Sequence, residues 1–394
     1  MNTHIASAKF LYQPATAVAM AGMCALAIGM GIGRFAFTPL LTMMVDDAGL
    51  TIAMGGRLAS ANYVGYFAGA LTAIWLPLRV EASLRTGILV IGVSTFLMGV
   101  STRWEEWMFL RALAGFMSAW VFVFASAWSL ERLHSLNRSR LSSIVYSGVG
   151  AGIALTGIVG LVLMKMHASS NDGWMALGTL ALILSAAIWP AFKPAGRSGP
   201  ARAGNVGHDA LSAHAWRLIV AYGAFGFGYI IPATFLPVMA RQFVADPGVF
   251  GWAWPVFGGA AFVSTLVCSS LIAWRGTRQS WIAGHLAMAA AIYLAAVRPG
   301  FFTTVVSGLI VGGTFMVITM AAMMEARTTT KAGAQRLIAS MTAAFAFGQI
   351  LGPLYAGHLV ETGGSIFSGL ALAAILLIAS SALLLFSRYS ERAS

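Results

Sequence analysis

Three arginines stand where charge is costly. Arg34, Arg57 and Arg111 each lie inside a long apolar run, and no Asp or Glu lies deep in any such run. Asp46, Asp47, Glu105, Glu106 and Asp172 fall at one set of run ends, and Glu131 and Glu325 at the other. A guanidinium is planar, permanently charged and forked, so it meets a carboxylate or phosphate through two parallel hydrogen bonds. Unpaired arginines in an apolar interior therefore read as an anion site, with Arg34 and Arg111 as its candidates. Arg111 has a structural alternative, bonding to backbone carbonyls. Arg57 lies near a run end and can snorkel out of the apolar region.

Tyr63, Trp128, Tyr146, Tyr222, Tyr229, Trp252, Trp254 and Tyr355 each join a flat apolar face to a polar handle and suit a pocket wall. Tyr63, Trp128 and Tyr229 are the best placed of these as substrate contacts; interfacial anchoring or packing is the other reading. Gln349 is a further candidate, with interhelical hydrogen bonding as its alternative. Catalysis finds no matching constellation. His4, His134, His208 and His214 fall in loops or the tail and His167 in another loop; only His285 and His358 approach the apolar interior, near opposite ends. Cys24 and Cys268 sit in apolar runs and imply neither a disulfide framework nor a zinc site. No phosphate-binding glycine loop precedes a lysine. The expectation is a protein that is not an enzyme and holds no cofactor or metal.

The elements that position these residues follow from composition. Hydrophobic residues make up 59% of the 394-residue chain and charged residues 9%, against about 25% charged in soluble domains. Mean hydropathy is +0.81. This excludes a water-soluble globule. Twelve apolar segments are each read as a helix crossing ~30 Å of hydrocarbon. They are Ala15–Met43, Ile52–Trp75, Gly87–Val100, Trp107–Leu130, Ser142–Met166, Trp174–Ala191, Leu218–Met239, Gly251–Trp274, Ser280–Val297, Phe302–Met324, Leu337–Val360 and Ser365–Phe386. Alternating strands are absent from the pattern, which excludes a β-barrel, so the backbone must be satisfied within helices. With the N-terminus inside, 17 Lys and Arg fall on the inner side, including Lys9, Arg197, Arg202, Lys331 and Arg392. Arg103, Lys165, Arg241 and Arg298 fall outside. That split orients both termini to the cytoplasm. The net charge of +12 is then a topology signal and an attraction to anionic lipid; it does not require nucleic acid.

The chain also reads as two copies of one plan: 1–191 and 216–394, joined by a polar linker at 192–215 that is rich in Gly, Pro and Arg. Gly148, Gly152 and Gly157 recur as Gly348, Gly352 and Gly357. Gly31-Ile32-Gly33 before Pro39 parallels Gly226-Phe227-Gly228 before Pro232. Glu131-Arg132 ends the fourth segment, and Glu325-Ala326-Arg327 the tenth. These four charged residues are the candidates for an inner gate that exchanges ion pairs. Gly148, Gly152, Gly348 and Gly352 are read as close-packing positions, and Pro353, like Pro39, Pro232 and Pro237, as a bend.

Four stretches carry a family resemblance. Gly29-Met30-Gly31-Ile32-Gly33-Arg34-Phe35-Ala36-Phe37-Thr38-Pro39-Leu40-Leu41 resembles the first-helix signature of the YbfB/YjiJ-type branch of the major facilitator superfamily. Ala61-Asn62-Tyr63-Val64-Gly65-Tyr66, the run from Gly226 to Pro237, and Gly348-Gln349-Ile350-Leu351-Gly352-Pro353 resemble the same branch. Arg111 to Gly115 fits the superfamily's Arg-x-x-x-Gly pattern in its fourth helix, whereas Arg79-Val80-Glu81-Ala82-Ser83-Leu84-Arg85 lacks the aspartate and glycine of its inner-loop signature. Span five lacks the proline of the superfamily's antiporter glycine motif. The resemblance implies an all-α integral membrane protein of twelve transmembrane helices in two six-helix pseudo-repeats, with its site between them. It implies a plasma-membrane transporter of a small solute working by alternating access. Paired with the arginines, the favoured substrate is a small organic anion. The alternative is proton-coupled efflux of apolar or drug-like compounds; a receptor or scaffold of this build would carry no flux. The expected partners are the solute, membrane lipid and a coupling proton or counter-anion, with the protein a monomer.

Overall fold

The computed structural model describes residues 14–75, 79–193, 212–329 and 334–391. Lys9, Arg197, Arg202, Lys331, Arg392, His4, His208 and most of the linker 192–215 lie outside the described residues. The described chain is helical throughout its long elements: α1 Ala15–Asp47, α2 Ile52–Trp75, α3 Val80–Val100, α4 Trp104–Ser135, α5 Ser142–Lys165, α6 Ser170–Ile188, α7 Ala213–Arg241, α8 Ala253–Arg275, α9 Thr277–Val297, α10 Phe301–Thr329, α11 Ala334–Glu361 and α12 Ile366–Glu391. Among the described residues, eleven helical segments are long and apolar enough to cross a membrane. The exception is α2, whose sequence is diluted by Gly, Ser, Asn and Tyr and carries Arg57.

Several spans run further than the hydropathy suggests. The expected segment Gly87–Val100 is a helix from Val80. Its first two turns carry Glu81 and Arg85, which read as loop residues but are satisfied by neighbours. Arg132 pairs with Glu81 at 3.7 Å. Arg85 donates to the Trp189 carbonyl at 3.2 Å and lies 5.1 Å from that indole's centroid. Likewise α10 continues past Met324 because Glu325, though buried, is hydrogen-bonded.

Among the described residues, the long helices before residue 193 meet those after 212 chiefly through α1 with α7, α2 with α11, and α5 with α8. Small residues allow the close approaches within and between these groups. A side chain at Gly148 would collide with the Met23 carbonyl of α1, and one at Gly348 with the Gly223 carbonyl of α7. Gly152 faces Ala27 and Gly31; Gly352 faces Ile230 and Phe227. Pro353 presents its carbonyl to Gly56 on α2. Without Cβ atoms, these backbones meet in direct contact.

The main irregularity is in α1. Residues Ala27–Phe35 form a π-helical stretch within an otherwise α-helical element, a form that is rare and concentrated at functional sites. Wider π turns displace carbonyls from their usual donors. Pro39, one turn on, has no amide to offer Arg34 or Phe35. In α7, Pro232 and Pro237 lie inside a helix that stays α throughout. The sequence parallel between the two helices therefore does not extend to their backbone form.

Candidate functional site

Arg34 sits in the π stretch, 2% exposed. No carboxylate ion-pairs with it among the described residues. Its guanidinium carbon lies 4.4 Å from the Tyr66 ring centroid, 4.9 Å from Tyr63 and 5.2 Å from Phe35. Each such cation–π contact stabilises by about 0.5–2 kcal/mol, more when desolvated. The charge is thus carried largely by aromatic faces. Nη2 donates to the Tyr229 hydroxyl at 3.5 Å, and Nε has no partner.

Residues from four helices meet here. Tyr63 on α2 shares a 3.2 Å hydrogen bond with Thr234 on α7. Gln349 on α11 is fully buried; its Nε2 donates to the Tyr229 hydroxyl, and its Oε1 has no partner. Thr38 on α1 donates to the Ala233 carbonyl at 2.8 Å. That carbonyl is available because Pro237, four residues on, has no amide. Arg34, Tyr63, Tyr229 and Gln349, all candidates from sequence, therefore come together.

Arg111 and Trp128 do not join them. Arg111 turns its fork on to main-chain carbonyls of the π stretch, with Nη2 to Arg34 O at 3.1 Å and Nη1 to Gly33 O at 3.5 Å. Its guanidinium also lies 4.9 Å from the Phe37 centroid and 5.7 Å from that of Trp174. The two terminal nitrogens of the fork are thus engaged by displaced backbone, while the buried Nε has no partner. Trp128 lies 17 residues further along α4 than Arg111, about 25 Å at 1.5 Å per residue. It packs edge-on to Phe192 at 4.8 Å and under Arg132 at 4.7 Å. Its place is the end of the bundle, not the Arg34 level.

Sequence reading passed over several participants. Asn62, fully buried, donates from Nδ2 to Gly33 O at 3.1 Å and to Arg111 O at 2.9 Å, tying α1, α2 and α4 together. Tyr66 makes the shortest cation–π contact to Arg34. Its spacing from Tyr63, i to i+3, puts both on one helix face and was the available signal. Thr38 and Thr234 carried no such signal, since isolated threonines in apolar helices are common.

The four gate candidates are also arranged otherwise than expected. Arg132 pairs with Glu81. Glu325 accepts from Arg278 Nε at 2.7 Å and from the Thr277 hydroxyl. Glu131 and Arg327 are exposed. Both pairs stay within one sequence half, because α3 and α9 bring Glu81 and Arg278 nearer than any opposite-half charge. The ion pairs that do cross lie at the other end of the bundle: Arg57 to Glu361 at 2.9 Å, and Arg241 to Asp46.

A separate polar network lies among α9 and α12. His285 is fully buried; Trp281 Nε1 donates to its Nε2 at 2.9 Å, and its Nδ1 faces Ser380 Oγ at 2.8 Å. Ser380 in turn donates to the Leu377 carbonyl at 2.8 Å. The indole donor fixes Nε2 as the acceptor of a neutral ring. Among the described residues no three His, Cys, Asp or Glu side chains gather as a metal site.

Comparison with known proteins adds the family. The family described as Uncharacterised MFS-type transporter YbfB matches residues 26–385. A mutant of the nucleoside transporter NupG superposes with a TM-score of 0.72 at 14% identity, covering 94% of this chain and 99% of its own. NupG itself superposes with a TM-score of 0.70 at 14% identity, covering 95% and 98%. At this identity the likeness is one of fold. No curated protein matches the sequence.

Proposed function

Because the chain belongs to the YbfB family of MFS-type transporters, and so is a multi-pass membrane protein of a transporter family, we propose that it moves a small organic anion by alternating access about Arg34. Residues 1–191 and 216–394 act as two six-helix halves, twelve membrane helices in all, that rock about the α1/α7 contact. The positive-inside distribution supports cytoplasmic termini in a plasma membrane. In that orientation the crossing pairs Arg57–Glu361 and Arg241–Asp46 latch the outer side. Arg132–Glu81 and Arg278–Glu325 stiffen the inner ends of the separate halves.

One observation carries the substrate reading: Arg34 is buried and, among the described residues, has no carboxylate partner and reaches the opposite half through the Tyr229 hydroxyl. A charge in that position has an electrostatic reason to remain if an anion completes it. The efflux alternative draws support from an apolar groove of about 640 Å³ on α7, α11 and α12, lined by Phe227, Phe347 and Leu351; no Asp, Glu, Lys, Arg or His is among its lining residues. Arg34→Gln keeps size and hydrogen bonding and removes the charge. In proteoliposomes it is expected to lower carboxylate flux at least 10-fold, with yield and monodispersity unchanged. Wild-type flux in the variant, or stabilisation of the parent by organic cations alone, would overturn the anion reading.

A further inference from the structure

The Arg34 site is more elaborate than capture of a carboxylate requires. Starting from Phe35, which lies against Arg34, ring contacts run to Trp254 at 6.1 Å, on to Phe257 at 4.8 Å, to Phe315 at 5.8 Å and to Tyr229 at 5.8 Å. Tyr229 returns to Arg34 through its hydroxyl. Five aromatic side chains from α1, α8, α10 and α7 thus form a circuit that begins and ends on the guanidinium. The planes of Tyr229 and Phe315 lie within 3° of each other, and those of Trp254 and Phe257 within 22°. Side chains that stack face to face on one another favour a planar ligand ring over a puckered or linear chain.

Polar groups on the circuit are incomplete. The Tyr229 hydroxyl accepts from Arg34 Nη2 and from Gln349 Nε2. Gln349 Oε1 is buried with no donor, and Trp254 Nε1 is buried with no acceptor. Buried polar atoms in folded proteins nearly always find partners. An unpaired amide oxygen linked to a cation through the Tyr229 hydroxyl calls for a ligand that brings a hydrogen-bond donor as well as negative charge. A simple aliphatic acid brings only the charge.

We propose that the occupant is a planar aromatic carboxylate carrying a ring hydroxyl, with its carboxylate on Arg34, its ring within the aromatic circuit and its hydroxyl donating to Gln349 Oε1. This rests on the reading of Arg34 as the anion site. The test is equilibrium binding to the purified full-length protein, using benzoate, its three monohydroxy isomers, cyclohexanecarboxylate and succinate. One hydroxybenzoate isomer is expected to bind about 3- to 10-fold more tightly than benzoate, the range of one added hydrogen bond. Benzoate is expected to bind about 2- to 10-fold more tightly than cyclohexanecarboxylate, the range of an aromatic pair beyond area burial. Gln349→Met should abolish the hydroxyl preference, so that benzoate and its three hydroxy isomers bind alike. The ranking on the unmodified protein needs no variant and stands if Gln349→Met misfolds. Cyclohexanecarboxylate or succinate binding as tightly as benzoate overturns the aromatic assignment while leaving the anion reading intact. Equal binding of benzoate and all its hydroxy isomers overturns the role given to Gln349. Failure of every carboxylate to bind overturns the anion reading itself.

Discussion

Substitution of Arg111 should separate a structural arginine from a ligand arginine, through an order of stabilities that side-chain similarity does not suggest. Arg111→Met deletes the donor to Arg34 O, and an orphaned buried carbonyl costs about 1–3 kcal/mol. The Gly33 carbonyl keeps its bond from Asn62. Loss of the Phe37 and Trp174 contacts costs about 1–2 kcal/mol. Against these, removing an arginine from membrane depth recovers about 2.5–3.5 kcal/mol. The net destabilisation is then about 0.5 kcal/mol, the mid-range sum of these principles. Arg111→Lys keeps the charge but is a point donor, more strongly hydrated and unable to fork across two carbonyls. It loses one charge-assisted bond and most of the stacking with nothing recovered, about 2.5 kcal/mol in all. Thermal midpoints of the purified proteins in one detergent should therefore rank Arg at or above Met, and Met above Lys. Lysine matching arginine would refute the carbonyl-fork argument. A loss of more than about 4 kcal/mol in the Met variant would show that the charge itself is stabilising, as a resident anion would make it.

Other expectations follow from the same geometry. Thr38→Val should destabilise by about 0.6–1.7 kcal/mol, and by less in a Pro237→Ala background, where the restored amide serves the Ala233 carbonyl; a double-mutant cycle with no coupling would contradict this. Asp46→Asn combined with Glu361→Gln should raise labelling of cysteines introduced at buried positions at that end of α1 and α11 by about 5-fold, since exposed pairs contribute up to ~1 kcal/mol each; unchanged labelling would show that the pairs latch nothing. His285→Leu should cost about 1–3 kcal/mol through the orphaned Trp281 N–H and shift indole fluorescence, with the pH profile of transport unchanged; an altered profile would mean the imidazole titrates during the cycle.

Much of the fold was legible because hydropathy and charge act over whole segments. Several span limits failed where charged side chains found partners, as at Glu81, Arg85 and Glu325, because pairing is a tertiary fact that a hydropathy window does not see. In the site, Arg34 was readable as a charge without a counter-charge, and Tyr229 and Gln349 as polar groups in apolar helices. Arg111 carried the same signature but donates to main-chain carbonyls, because a π stretch shifts them in a way no residue spacing announces. Trp128 misled for a simpler reason. Its residue type suits a pocket wall, but at 17 positions from Arg111 along one helix it stands at another level of the bundle.

The bonds that join α1 and α2 to α7 and α11 near Arg34 bear on how the site would open. They are Thr38 to Ala233, Tyr63 to Thr234, Arg34 to Tyr229 and Ser60 to Ile350. None is an ion pair, and interhelical hydrogen bonds within membranes average about 0.6 kcal/mol each. Breaking all four costs roughly 2–3 kcal/mol by that measure. A single charge-assisted bond from Arg34 to an anion contributes about 1.5–3 kcal/mol, more than the one Tyr229 bond that competes for the same fork. Because the guanidinium rests on Tyr63, Tyr66 and Phe35 from its own side, its position survives the loss of Tyr229. An anion that displaces Tyr229 from Arg34 therefore weakens the central contact without dismantling the site that binds it.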